Sequence, residues 1–255
     1  LLSLGGGDVA FLADDGSTTM GGLDLFVSTL GHGVRKVAAN FVDHSTRTRE
    51  SRVLGLMSHD DAVYFAADDG VAGSELWGTD GKAANTSRIS DLWAGPGAGL
   101  HDHDWSSGHS YGELQGVSLG KDLYFTGYRG DRKLALYKTD GFAAGPVFVR
   151  DLDLNAGSGW GLRGVGIGDT LYSYATSKAQ GQGLYSFGSG TSMTRLASVL
   201  PGSCHQFGSK LVFTDGSPPN LRGIWVSDGS LAGTVPLVRY GQPVFEPFCM
   251  VNLGK

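Results

Sequence analysis

The chain has 255 residues, with 42 glycines, 8 prolines and no G-X-Y period, which fits one large domain rich in tight turns and argues against collagen or a disordered chain. Its net charge of −5 and the lack of a basic stripe argue against nucleic acid as a partner. No apolar run approaches the about 20 residues that a membrane-crossing helix needs. Helical periodicity is missing over any long window, so bundles and α/β folds are disfavoured.

The chain opens on Leu1-Leu2-Ser3-Leu4-Gly5-Gly6, which reads as a short inner strand. A strand–loop–strand phrase follows, Asp8 to Leu12 and then Leu23 to Val27, with a third strand from Val34 to Asn40. A short Gly-containing strand, Val53 to Leu56, precedes the second and clearest copy of the phrase. That copy runs Ala62-Val63-Tyr64-Phe65, Asp68-Asp69-Gly70, Glu75-Leu76-Trp77, with a third strand from Ser87 to Leu92. Later copies pair Asp122–Phe125 with Ala135–Tyr137, Thr170–Tyr174 with Gly183–Phe187, and Lys210–Phe213 with Gly223–Val226. Their third strands are Val147–Leu152, Met193–Val199 and Thr234–Val238, and short strands lie around Val117, Val165 and Gln206. A repeat of roughly 40 to 60 residues means one supersecondary unit used many times. Four strands per unit joined by Gly-rich turns match a propeller blade. Three second strands run into Thr79-Asp80-Gly81, Thr139-Asp140-Gly141 or Ser227-Asp228-Gly229, and Asp-Gly is a strong signal for a hairpin turn.

Glu75-Leu76-Trp77-x-Thr79-Asp80-Gly81 resembles the ELWxTDGT-type repeat of secreted and surface β-propeller proteins. Ile224-Trp225-Val226-Ser227-Asp228-Gly229, ending in Ala232-Gly233-Thr234, is similar to its longer form, and Leu136 to Gly145 follows it with Pro146 in place of Thr. The copies at Leu23 and Leu184 keep the aromatic and lose the Asp-Gly. The resemblance implies a propeller fold and an extracellular setting; it brings no catalytic signature.

The expected fold is therefore all-β: a single domain over 1–255, a five-bladed β-propeller of four-stranded antiparallel blades, with blades near 8–56, 57–117, 118–165, 166–207 and 208–255. Phe248 to Lys255 reads like another inner strand. The expectation is that residues 248–253 pair with the Val9–Ala13 strand and close the ring, since closure removes exposed sheet edges. The alternative is a chain cut from a longer repeat protein, or a subunit of a larger extracellular assembly.

The longest connection between copies, Ala94 to Glu113, holds His101-Asp102-His103-Asp104-Trp105, then His109, Tyr111 and Glu113. Loops longer than about 12 residues tend to be functional. Alternation in an extended segment turns His101 and His103 the same way, so these imidazoles, with His109 and Asp102 or Asp104, are candidates for a transition metal. A solvated polar loop is the competing reading. Asp68 and Asp69 suit either an Asx turn or Ca²⁺. Trp105, Tyr111, Glu113, Asp68 and Asp69 are candidate ligand contacts. Of the other histidines, His32 and His44 read as solvated, and His205 as a core residue or a channel ligand.

Cys204 and Cys249 are compatible with one disulfide, or with two buried thiols. Asn85-Thr86-Ser87 is an N-glycosylation sequon. No G-x-S-x-G, H-E-x-x-H or P-loop motif occurs. The leading expectation is a secreted or cell-surface module that binds a glycan or a protein; an enzyme acting on polysaccharide through loop carboxylates or histidines is the alternative.

Overall fold

The computed structural model describes residues 1–16, 23–38, 41, 54–100, 114, 116–131, 133–141, 145–152, 164–177, 179–188, 192–199, 201–215 and 223–239. Alternating apolar residues in the repeated phrase build five four-stranded sheets from consecutive strands. The first sheet is β1 (Leu2–Leu4), β2 (Asp8–Ala13), β3 (Asp24–Thr29) and β4 (Gly33–Ala38). The second is β5 (Leu54–His59), β6 (Ala62–Asp68), β7 (Ser74–Thr79) and β8 (Ser87–Arg88). The third is β9 (Gly116–Leu119), β10 (Asp122–Tyr128), β11 (Leu134–Thr139) and β12 (Val147–Asp151). The fourth is β13 (Gly164–Ile167), β14 (Thr170–Ser177), β15 (Gly181–Phe187) and β16 (Met193–Ala197). The fifth is β17 (Pro201–Phe207), β18 (Lys210–Asp215), β19 (Gly223–Ser227) and β20 (Val235–Arg239).

Each short strand thus belongs with the strands that follow it. Blade limits at 8–56 or 57–117 leave it with those before, and the sheets shift them to 2–38, 54–88, 116–151, 164–197 and 201–239. The first sheet carries a second correction. Leu2↔Ala10, Ser3↔Val9 and Leu4↔Asp8 are paired, so the edge expected to receive residues 248–253 is held by the N-terminal strand. Leu4 is buried there beside Ala10, Leu25, Val63 and Phe65, and its burial favours this pairing. Residues 248–253 lie outside the described residues.

The repeat is a register. The aromatic of each second strand in a sheet faces that of the third, as Phe11↔Phe26, Phe65↔Trp77, Phe125↔Tyr137 and Phe213↔Trp225. The four ring pairs stack at 5.8, 6.3, 5.8 and 6.0 Å between centroids. Only the fourth sheet departs, with Ser173 opposite Tyr185.

The Asp-Gly turns are not tight hairpins. Thr79, Thr139 and Ser227 each end a strand, and seven residues separate them from the next. Their hydroxyl oxygens accept the amides of Gly81, Gly141 and Gly229 at 3.0, 3.3 and 3.0 Å. These glycines sit at φ of 90, 133 and 91°, a backbone conformation that residues with a Cβ rarely adopt. The two-residue hairpins lie instead between the first two strands of four sheets, at 60–61, 120–121, 168–169 and 208–209. Asp60 and Asp61 occupy one at φ 45° and 57°, a conformation that Asp tolerates better than most residues.

The chain divides into two compact units. The first holds the first two sheets and β10–β12. In it β6 is buried along its whole length: Val63, Phe65 and Ala67 pack with the first sheet, and Tyr64 and Ala66 with Leu123, Phe125 and Tyr137. Arg35 spans its first two sheets, donating to Asp8 Oδ2 at 2.7 Å, Thr29 Oγ1 at 2.6 Å and the Gly81 carbonyl at 3.0 Å. The second unit holds β13–β20, where Tyr172, Leu184 and Leu196 pack with Leu211 and Phe213.

Candidate functional site

The connection after β8 begins as a strap on the first unit. The expected 87–92 strand stops at Arg88. Ile89 N still donates to Leu76 O at 2.8 Å, but Leu76 N donates to Ser90 Oγ at 2.8 Å in place of a backbone carbonyl. Glu75, at the head of β7 and 0 % exposed, takes over the next residues. Its Oε2 accepts Ser90 Oγ at 2.5 Å and Leu92 N at 2.9 Å, and its Oε1 accepts Trp93 N at 3.2 Å. Burial holds this carboxyl above its ordinary value, against the pull of the Leu92, Ser90 and Trp93 donors, and Asp91 adds to the rise.

The strap's far end is held by backbone bonds. Leu100 N donates to Ser74 O at 2.9 Å and Tyr128 N donates to Gly99 O at 2.6 Å, which ties residues 99–100 to both β7 and β10. Trp93 lies half-buried over Gly97, and Tyr128 is half-buried as well. The connection therefore leaves Leu100 from a fixed base. His101, Asp102, His103, Asp104, Trp105, His109, Tyr111 and Glu113 lie outside the described residues.

Asp68 and Asp69 take the turn role. Asp68 Oδ1 accepts Gly70 N at 2.7 Å, while Asp69 Oδ1 accepts Val71 N at 2.9 Å and Ala72 N at 3.0 Å. Burial raises the Asp69 carboxyl, yet the Ala72 and Val71 amides and Arg88 outweigh it and hold the group below its ordinary value. The equivalent loop of the third sheet is ionic: Arg129 bonds Asp131 at 2.9 Å and pairs with Asp151 at 3.3 Å, and Lys133 pairs with Asp131 at 3.1 Å. Hydrogen bonds from Arg129 and Lys133 push the Asp131 carboxyl far below its ordinary value. Among the described residues no group of three or more His, Cys, Asp or Glu is placed to hold a metal ion.

Cys204 is a free thiol whose pKa burial pushes up to about 12; Cys249 lies outside the described residues. Asn85 is exposed, and its amide donates to Asp80 Oδ2 at 2.7 Å. His205 is exposed on β17, not the core residue expected: β17 is the edge strand of its sheet, and Gln206 and Phe207 beside it are exposed as well. Among the described residues His59 is the buried histidine: its Nε2 lies 2.9 Å from Lys121 O. Sequence reasoning missed Glu75 and Ser90 as the pair that anchors the strap. The available signal was an acid at a core-facing position that Ala135, Gly183 and Gly223 fill in the later copies.

No family model matches the chain, and no curated protein matches it in sequence. Among solved structures it is similar to a puromycin hydrolase (TM-score 0.55, 11% identity, over 93% of this chain and 38% of that one). It is also similar to the β-propeller domain of the Trilobed protease from Pyrococcus furiosus, described as having an open velcro topology (0.54, 11%, over 92% and 68%). A prolyl endopeptidase matches as well (0.54, 10%, over 91% and 35%). The chain spans about a third of that endopeptidase's length. At such identities the likeness carries the fold alone: an all-β chain of five four-stranded antiparallel sheets, similar to β-propellers. No helix among the described residues is long and apolar enough to cross a membrane.

Proposed function

We propose that this chain is a five-bladed β-propeller, in a secreted or cell-surface setting, that binds a glycan or a protein through the loops beside Asp68–Gly70 and Arg129–Asp131. Five like sheets, one per copy of the repeat, support five blades. The observation that carries the binding reading is the strap: residues 89–100 are tied down by one buried carboxylate and by bonds to two sheets, which fixes the base of the longest connection. Fixing a loop's base lowers the ordering cost when that loop meets a ligand. The described acids on the same side also favour a platform over acid–base chemistry. Asp68, Asp69 and Glu75 spend their oxygens on backbone amides or a hydroxyl, and Asp131 on Arg129 and Lys133.

The test is a glycan array probed with the protein and with Trp105→Ala, Tyr111→Ala and, as a control, Leu30→Ala; Leu30 is 91 % exposed in the β3–β4 turn. Saturable binding that falls about tenfold or more in the first two variants and holds in the third supports the reading, since aromatic anchors dominate such contacts. Equal binding by all four proteins removes the loop from the site.

A further inference from the structure

The second sheet has a two-residue outer strand, where β4, β12, β16 and β20 run five or six. What replaces the missing ladder is one side chain. Ser90 Oγ accepts the Leu76 amide, so its own proton is directed to Glu75 Oε2. The Leu92 and Trp93 amides complete a set that only donates. Among the described residues no cation pairs with Glu75; the titratable groups that act with it are Asp91 on the strap and Tyr137 on β11.

The strap and the sheets are cut to fit each other. A Cβ on Gly73, before β7, would lie 2.2 Å from Gly97 O; one on Gly127, in β10, would lie 2.6 Å from Leu92 Cδ1. On the strap side, a Cβ on Gly97 would lie 2.6 Å from the Trp93 ring, and one on Gly99 would lie 2.2 Å from Glu75 Oε1. Gly73, Gly99 and Gly127 therefore allow a contact whose polar centre is the carboxylate, and Gly97 lets the strap close on its own Trp93.

We infer that Glu75 is a latch: its two carboxyl oxygens lock residues 90–93 onto β7, and residues 89–100 release as one cooperative segment when those acceptors are lost. The latch stands on the geometry of 89–100. Its bearing on ligand binding rests on the loop reading above, so exchange data that support the latch while the glycan array fails reject only that reading.

The test is amide hydrogen exchange in the whole protein and in Glu75→Gln, which keeps the shape and turns one acceptor into a donor. The amides of Leu92, Trp93, Leu100 and Tyr128 should exchange about 10- to 100-fold faster, together, as expected when hydrogen bonds to a charged group are lost. Val63 and Phe65 in β6 should keep their rates. Acceleration at Leu92 and Trp93 alone overturns the single segment. Equal acceleration at Val63 and Phe65 overturns the latch, since Glu75 would then serve the whole unit. Ser90→Ala removes one donor and should give the same pattern, weaker. If Glu75→Gln does not fold, unchanged rates at all four amides in Ser90→Ala refute the proposal.

Discussion

Replacing Gly99 by Ala should cost far more than a methyl group on a surface loop. The added Cβ would stand 2.2 Å from Glu75 Oε1, 2.8 Å from Glu75 Cδ and 2.8 Å from Leu92 Cβ. None of these can swing aside, because Glu75 is fully buried and holds three donors. Gly99 is not among the positive-φ glycines, so the cost is one of space and not of backbone strain. If the carboxylate moves and loses one or two of its donors, at about 1.5–3 kcal/mol for each bond to a charged group, the loss is about 3 kcal/mol. For a chain of this size that lowers the melting midpoint by about 6 to 12 °C. Differential scanning calorimetry reads it directly, with Gly188→Ala as control; a Cβ there meets nothing within 4 Å. The control should stay within about 0.5 kcal/mol of wild type. If the two variants melt together, the contact between strap and carboxylate is not the tight one described.

Glu75 should also leave a mark on pH dependence. Burial raises its folded value above 4.5, so its share of stability is full below about pH 4.5 and is lost as pH rises through the raised value. In urea unfolding between about pH 4 and 8, the advantage of wild type over Glu75→Gln should shrink with rising pH. An advantage that grows with pH refutes the assignment. Cys204, pushed up to about 12 from 9.0, should be nearly inert. In a Cys249→Ser background at about pH 8, the folded thiol should alkylate about a thousandfold more slowly than the unfolded one, following its thiolate fraction. Comparable rates would mean that the thiol is not buried.

Much of the sheet structure was legible because alternation and aromatic spacing encode register directly. Phe65 and Trp77, or Phe213 and Trp225, stand where the repeated phrase places them. The edges were harder to read. Leu2–Leu4 and residues 248–253 carry the same apolar pattern, and periodicity cannot choose between two segments that fit one edge; packing of Leu4 on Leu25 and Phe65 does. The 87–92 strand failed because Ser90 and Glu75 offer the backbone a side-chain substitute for the ladder, which hydropathy does not register. Asp60-Asp61 lacks the glycine that usually announces such a turn. Of the candidate site, Asp68 and Asp69 were legible as turn residues. The importance of Glu75 becomes visible only when its three donors are brought to it from 15 to 18 positions along the chain.

Among the described residues every sheet is made of four strands that are neighbours in sequence, and none borrows a strand from another. A segment such as 164–197 can therefore be copied, excised or exchanged as one cassette whose described strand ladder is complete within itself. What must be rewritten at each junction is only the side-chain seam, as with Arg35 reaching Gly81 or Tyr172 packing within hydroxyl reach of Gly229. Genetic recombination would act on such a chain through the lengths of its connections and the fit of these seams, and shuffled variants should differ in stability more than in topology.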